Sequence, residues 1–176
     1  MKILQIVIFS IIFTSQIIYA EDVVQVNITG SINATTCNIK TQNQTVNLGA
    51  WQTQSISGIG SGINSQSDAV GYTLDLDCPA GLRINAQLEG NQYDTSNIYY
   101  IGLDKGDNAA AGVVIETHFY GQGKWQSLVY NSTRTLIANT IDGINSVSLR
   151  SYYRQVSSTI KSGEANATVT VTMTYQ

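Results

Sequence analysis

The chain has 176 residues, a formal net charge of −3 and a charged fraction of only 12%. This length suits one ordinary domain with its own hydrophobic core. Nucleic acid is a poor partner for so acidic a chain, because phosphate binding needs clustered Lys and Arg. Ser, Thr, Asn and Gln supply the polar surface instead, which is typical of extracellular β proteins.

The first twenty residues have the pattern of a secretory signal peptide. Lys2 supplies a positive charge, an apolar run rich in Ile and Phe follows, and the small residue Ala20 ends it. An uncleaved membrane anchor is the weaker alternative, because the run is short for a membrane span. We expect cleavage before Glu21, so that removing twenty residues, Lys2 among them, leaves 156 with a net charge of −4.

The mature chain begins with a strand-like segment, "DVVQVNITGSI", in which apolar and polar residues alternate. A period of two predicts a β-strand with one apolar face. From this pattern alone, the segment could be the first strand of a complete sandwich or an arm that leaves the domain. Its apolar face carries Val24, Val26, Ile28, Gly30 and Ile32.

The same period of two recurs along the rest of the chain and predicts an all-β sandwich. In "AVGYTLDLDC" the apolar residues share one face, while Asp75 and Asp77 fall on the expected solvent face. The Gly- and Ser-rich residues 53–68 read as a long loop. Further strand-like runs are "TVNLGAW", "LRINAQLEG", "NIYYIGL", "GVVIETHFY", "KWQSLVY", "INSVSLRSYY" and the final "ATVTVTMTYQ".

The cysteine and histidine content argues against catalysis and metal binding. Cys37 and Cys78 are the only cysteines, and in an exported protein such a pair is expected to form one disulfide. Closing a loop of this length would stabilise the fold by about 4 kcal/mol. The single histidine, His118, has no second histidine for a metal site and is interpreted as a surface or strand residue. We therefore expect no enzymatic activity, no metal and no cofactor.

Several aromatic residues admit two interpretations. Trp51 follows Cys37 at the spacing of a true immunoglobulin domain, but Leu76 occupies the position of the tyrosine corner, so Trp51 is interpreted as a core or groove residue. The runs "YYIGL", "HFYGQGKW" and "SYYR" place aromatics near turns. Sandwich core is the favoured reading of these runs. Exposed Tyr and Trp are also common in recognition sites, which makes a host glycan or receptor a candidate partner.

The final strand raises a separate question. Ala167, Val169, Val171 and Met173 alternate with polar residues, and neither Lys nor Pro interrupts the pattern. An exposed edge strand of this kind invites aggregation, so its free edge is expected to be covered by another strand.

Together these motifs resemble the pilins of chaperone–usher pili, specifically the type 1 and P pilus subunits of Gram-negative bacteria. Gly30 precedes Cys37 by seven residues, "TVNLG" follows, and "LDLDC" closes a strand at the second cysteine. A "GVVIE" strand, with Val113 and Ile115 expected to point inward, and an "SLRSYYR" strand come later. The most specific marks are the penultimate Tyr175 and Gly163, fourteenth from the end.

The resemblance implies an incomplete immunoglobulin-like sandwich that lacks its last strand and leaves a groove beside the final strand. A donated strand would fill this groove through main-chain hydrogen bonds and alternate side chains. The donor-strand residues would be Val24, Val26, Ile28 and Gly30. The residues of the groove edge would be Gly163, Val169, Val171, Met173, Tyr175 and Gln176.

It also implies the partners and the location of the chain. A periplasmic chaperone would fill the groove first and anchor the carboxylate of Gln176. At the outer-membrane usher, the arm of a neighbouring pilus subunit would replace it, giving a head-to-tail polymer at the cell-surface fimbrium. The expected organisation is a signal peptide (1–20), a donor-strand arm (21–32) and a pilin domain (33–176). The arm before Gly30 is short and resembles that of minor subunits. The alternative function is that of a secreted, monomeric carbohydrate- or receptor-binding β-sandwich.

Overall fold

The structure is a computed structural model that describes residues 36–176, and the regular secondary structure in this range is β-strand. No helix in these residues is long and apolar enough to cross a membrane. The strands are β1 (Asn38–Ile39), β2 (Val70–Cys78), β3 (Ile84–Gly90), β4 (Gln92–Asp94), β5 (Asn97–Ile101), β6 (Val113–Gly121), β7 (Lys124–Ser127), β8 (Arg134–Ile137), β9 (Gly143–Gln155) and β10 (Val169–Tyr175).

The larger sheet has seven antiparallel strands in the order β1-β2-β9-β6-β5-β4, with β7 also paired to β6. Its centre is a continuous ladder between β2 and β9, from Val70 opposite Ser151 to Cys78 opposite Gly143. Strand β6 continues the sheet on the other side of β9. The alternating runs recognised in the sequence therefore form the middle of this sheet.

The smaller sheet has three antiparallel strands in the order β10-β3-β8. Strand β10 pairs with β3 along its whole length, from Val169 opposite Gly90 to Tyr175 opposite Ile84. Within residues 36–176, β10 has no strand partner on its other side. The final strand is thus an edge of the described part of the sandwich.

The hydrophobic core lies between the two sheets. Its centre includes Leu76, Ile84, Leu88 and Phe119, each 0–1% exposed. On β6, Val113 is buried and Ile115 packs against the core, which confirms the expected inward direction. The apolar faces of both sheets are therefore turned towards each other, as the period of two predicted.

The predicted disulfide is confirmed. Cys37, immediately before β1, is bonded to Cys78, the last residue of β2, with the two Cα atoms 4.3 Å apart. Asp75 and Asp77 are half-buried on the opposite face of β2, and Asp77 forms a 3.0 Å ion pair with Lys40. The disulfide therefore links the start of the described domain to its central strand pair.

The predicted strand "TVNLGAW" is wrong, because residues 45–51 form no regular structure. Gly49 has a φ of +80°, and its N–H donates to the side chain of Asn47 at 2.9 Å, so the chain turns there. Trp51 is 39% exposed and its indole N–H donates to Leu48 O at 2.7 Å. The core alternative for Trp51 is therefore wrong, and its groove alternative stays a prediction. The short strands β1, β4 and β8 were not foreseen.

Candidate functional site

The candidate site is the edge formed by β10. Val171 lies opposite Leu88, Met173 opposite Ala86 and Tyr175 opposite Ile84. These β10 side chains pack against the core but stay half-buried. Their β3 partners are 0–1% exposed. The core-facing side chains of β10 therefore still expose apolar surface to solvent, whereas those of β3 do not.

The backbone of β10 can also accept another strand. Only β3 forms a ladder with it in the described range. The backbone N–H and C=O groups on the far side of an edge strand are unpaired, and they can form hydrogen bonds with a further strand. Half-buried alternate side chains beside an open backbone edge are the two features that strand addition requires.

Both ends of β10 are fixed by backbone hydrogen bonds. At its end, Gln176 N–H donates to Arg83 O at 3.0 Å, and Arg83 N–H donates to Gln176 O at 2.8 Å. Before its start, Asp104 N–H donates to Asn166 O at 2.7 Å. Backbone hydrogen bonds therefore hold both ends of β10, although only β3 pairs with it in the described range.

Gly163 lies in the segment that precedes β10, where the backbone closely approaches residues 108–110. A Cβ atom at this position would lie 2.2 Å from Asn108 O and 2.7 Å from Ala110 N. Glu164 N–H donates to Asn108 O at 2.8 Å, and Ala110 N–H donates to Glu164 O at 2.9 Å. Only glycine permits this close approach without a backbone shift. Gly163 therefore lies before β10, at the close contact between this segment and residues 108–110, and its role at the groove edge stays a prediction.

The predicted site residues fall into two groups. The structure brings the core-facing side chains of β10 onto one edge and places Gln176 at its end. The four donor-strand residues, Val24, Val26, Ile28 and Gly30, lie outside the described residues. Their docking into a groove stays a prediction. Three further residues hold the chain around β10 through backbone hydrogen bonds: Arg83, Asp104 and Asn108. Apart from the glycine at position 163, no sequence pattern indicated these contacts.

The outer face of the larger sheet holds a buried charge network around β6 and β9. Glu116 accepts hydrogen bonds from Arg154 and, at 2.7 Å, from the Tyr152 hydroxyl. His118 Nε2 lies 3.0 Å from the same hydroxyl and 3.4 Å from Ser127 Oγ. The interpretation of His118 as a strand residue is confirmed.

The electrostatics of this network suit a structural role. Burial alone would raise the pKa of Glu116, but hydrogen bonds from His118, Arg154 and Tyr152, with the charge of Arg154, lower it to about 2. Burial and the neighbouring Glu116 raise the pKa of Tyr152 to about 12. These pKa values keep Glu116 charged and the Tyr152 hydroxyl protonated near neutral pH. The network therefore stabilises the β6–β9 pair.

The core interpretation of the aromatic runs is only partly right. Phe119 and Tyr152 are buried, whereas Tyr120, Trp125 and Tyr99 are 49%, 37% and 42% exposed. Tyr120, one residue along from the core-facing Phe119, lies on the outer face of the larger sheet, and Trp125 lies opposite it on β7. Period-two alternation explains this result, because neighbouring aromatic residues on a strand point to opposite faces.

Solved structures of similar fold are pilus proteins. One is the P pilus rod subunit PapA, with a TM-score of 0.56 and 19% identity over 80% of this chain and 99% of the other. A chaperone–usher pilus, described with its rod uncoiling, has a TM-score of 0.56 and 18% identity over 90% and 98%. The CupB6 tip adhesin of Pseudomonas aeruginosa has a TM-score of 0.50 and 15% identity, over 63% of this chain and 31% of the adhesin.

The sequence comparison decides the family. No curated protein matches the chain. Residues 26–176 match the family model described as "Fimbrial protein", which covers most of the chain. This family is structural. The chain therefore belongs to the fimbrial protein family, as a structural fimbrial subunit.

Proposed function

We propose that this fimbrial subunit polymerises by donor-strand exchange at β10. The observation that carries the proposal is the half-burial of Val169, Val171, Met173 and Tyr175, which face the core from an edge strand. A donated strand would pair with the open backbone edge and bury the remaining apolar surface. Completing the burial of side chains of this size contributes about 1 kcal/mol each.

The proposed donor is the arm 21–32 of a neighbouring subunit. Val24, Val26 and Ile28 alternate as pocket-filling residues must, and Gly30 permits close backbone contact. The donor and acceptor surfaces differ, so the contact is head-to-tail and does not close. Repetition of such a contact generates a fibre.

We further propose that a periplasmic chaperone occupies the groove before assembly and that the outer-membrane usher is the site of exchange. The chaperone would anchor the carboxylate of Gln176, whose backbone pairs with Arg83 at the end of β10. Its strand would then follow the core-facing side chains from Tyr175 towards Val169. In this proposal the subunit has no enzymatic activity.

The test compares thermal midpoints of two oxidised forms of the mature chain. One form is residues 22–176. The other lacks the arm up to Thr29 and carries Asp22–Ile32 on a flexible linker after Gln176. We expect a clearly higher midpoint in the second form, because the appended strand can fold back onto β10.

A matched control carries Val26→Asp and Ile28→Asp in the appended segment and should lose the gain. Equal and high midpoints in the two forms would contradict the proposal and favour a closed, monomeric binding domain. Equal and low midpoints would contradict donation by this arm and indicate that the groove takes another subunit's strand.

A further inference from the structure

The exposed aliphatic side chains of the described residues are confined to the two ends of the sandwich. Among the valines, leucines, isoleucines and methionine of residues 36–176, all but four are buried or half-buried. The four exceptions are isoleucines that are each more than half exposed: Ile56, Ile63, Ile141 and Ile144. Single apolar residues scattered over a surface need no explanation, but a restriction to two places does.

Ile141 and Ile144 lie at the end of the sandwich where the described chain begins. Ile144 is on β9 beside the register pair that ends at Cys78, which is bonded to Cys37. Gln176 is at the same end, because its backbone pairs with the connection from β2 to β3. We call this end the near pole, and Ile141 and Ile144 the near-pole pair.

Ile56 and Ile63 lie at the opposite end, in the Gly- and Ser-rich loop 53–68. This loop is bound to the end of β9, where Gln155 N–H donates to Ser65 O at 2.9 Å. The start of β10 is at this end too, because the residues that precede β10 pair with those that precede β6, whose first residue lies opposite Gln155. We call this end the far pole, and Ile56 and Ile63 the far-pole pair.

Loop 53–68 is firmly attached, although its composition predicts a flexible segment. The Gln155 side chain is 2% exposed. Its Oε1 accepts hydrogen bonds from three groups of the loop: Gly60 N–H at 3.1 Å, Gly62 N–H at 3.3 Å and the Ser65 hydroxyl at 3.0 Å. Ile59 of the same loop is buried in the protein. An attached loop loses less conformational entropy when a partner binds, so the far-pole pair suits a contact surface.

The length of chain between the arm and the domain determines which poles can meet. Every strand pair of the two sheets is antiparallel, so an arm added to β10 is expected to run antiparallel to it. Such an arm would enter at the near pole of the acceptor subunit, beside Tyr175, and end at its far pole, beside Val169. Residues 33–36 separate the arm from Cys37 of the donor subunit and span at most about 18 Å. The near pole of the donor would therefore lie beside the far pole of the acceptor.

We propose that the near-pole pair of the donor subunit packs against the far-pole pair of the acceptor subunit. The inference rests on the proposed donor-strand exchange and adds a second contact to it. The occupant of each pole is another copy of this chain, because the arm holds the two poles together and both expose the same kind of side chain. Assembly then removes all four isoleucines from water, which stabilises the junction beyond the strand that crosses it.

The first test measures how fast fibres of the oxidised mature chain lose subunits. Excess arm peptide (residues 22–32) competes for the groove, and light scattering follows the loss of fibre. We expect replacement of either pair by serine to raise the rate of loss about tenfold, because changes in affinity appear mostly in dissociation. The two variants are Ile141→Ser with Ile144→Ser and Ile56→Ser with Ile63→Ser.

Tyr120→Ser is the matched control and should leave the rate unchanged. Tyr120 is 49% exposed but lies at neither pole, because its neighbour Phe119 is opposite Leu149, midway along β9. Unchanged rates in both serine variants would overturn the inference alone, since fibres would still form by strand donation. Peptide binding without fibre formation would exclude a second copy as the occupant. A peptide that does not bind would contradict donor-strand exchange itself, and this inference with it.

A second test determines whether the two pairs touch. One variant carries Ile141→Asp and Ile144→Asp together with Ile56→Lys and Ile63→Lys. Its match carries Ile141→Lys and Ile144→Lys with the same far-pole substitutions. The first variant should lose subunits more slowly, because its opposite charges attract across the junction, and the difference should shrink at high salt. Equal rates at low salt would refute the contact. Thermal midpoints with the arm peptide bound check that each variant is folded.

Discussion

Strands β3 and β10 pair residue for residue and face the same core, yet they are buried to different degrees. Ile84, Ala86 and Leu88 of β3 are 0–1% exposed, whereas the core-facing residues of β10 are half-buried. Both strands have alternating sequences of the same kind. The difference lies in the number of neighbours, because β3 has a strand on each side and β10 has one in the described residues. An apolar strand pattern thus defines a face, and the topology decides how far that face is covered.

The largest expected effect is on β3. Leu88→Ala removes a fully buried side chain and should lower the free energy of unfolding by about 3 kcal/mol. The loss should be similar with the groove empty and with the groove filled by an appended arm, because Leu88 is sealed in both. Urea unfolding of the two forms measures it. A loss below about 1 kcal/mol would show that β3 is not the fully buried strand of the pair.

An intermediate loss of stability is expected for a substitution on the larger sheet. It tests whether the difference in burial between β3 and β10 is confined to the smaller sheet. The folded-state pKa of Glu116 is about 2, below its usual 4.5, so its stabilising contribution is complete above about pH 4.5 and is lost as the pH falls towards 2. Glu116→Gln should cost about 1–2 kcal/mol at pH 7, allowing for screening by solvent, and almost nothing at pH 2.

The gain from filling the groove should be the same at pH 7 and pH 3.5, because Glu116 lies on the other sheet. Glu89→Gln is the matched control, because Glu89 is exposed on β3 and lies on the other sheet from the Glu116–Arg154 pair. A Glu116→Gln penalty that persists unchanged at pH 2 would contradict the role of the Glu116–Arg154 pair.

The smallest effect is the most diagnostic for β10. Val171→Ala, at the residue opposite Leu88, should cost about 1 kcal/mol with the groove empty, because the side chain is only half-buried there. The cost should rise when a strand covers it. Thr170→Ala on the exposed face should change little in either form. If Val171→Ala lowers the free energy of unfolding equally in the two forms, the appended strand does not pair with β10. Guanidinium unfolding of the two variants and their parent, each with the groove empty and with the groove filled, makes the comparison.

Much of the fold could be predicted because its longer strands have one buried and one exposed face, so that apolar and polar residues alternate along them. The pattern located β2, β3, β9 and β10, and the family resemblance supplied the interpretation of β10 as a groove edge. "TVNLGAW" failed because alternation does not reveal the turn at Gly49. Strand β8, with four residues, is too short to show a period.

The parts of the site that could not be predicted are those without a side-chain signature. The anchoring of β10 depends on backbone hydrogen bonds between Asp104 and Asn166 and between Arg83 and Gln176, residues that are distant in sequence. Any residue type can form such bonds. The outer-face network was missed for a different reason: Glu116 and Arg154 occupy positions where a strand normally exposes polar residues.

The position of the disulfide has a mechanical consequence. Strand β1 has only two residues, and a pull on the chain that precedes Cys37 would peel such a short strand away easily. The bond from Cys37 to Cys78 carries that tension past β1 and into the end of β2. There it meets the ladder with β9, in which nine residue pairs resist together as the strands are sheared. In the proposed head-to-tail fibre, the covalent link would thus let each subunit bear load through the longest strand ladder of its described residues.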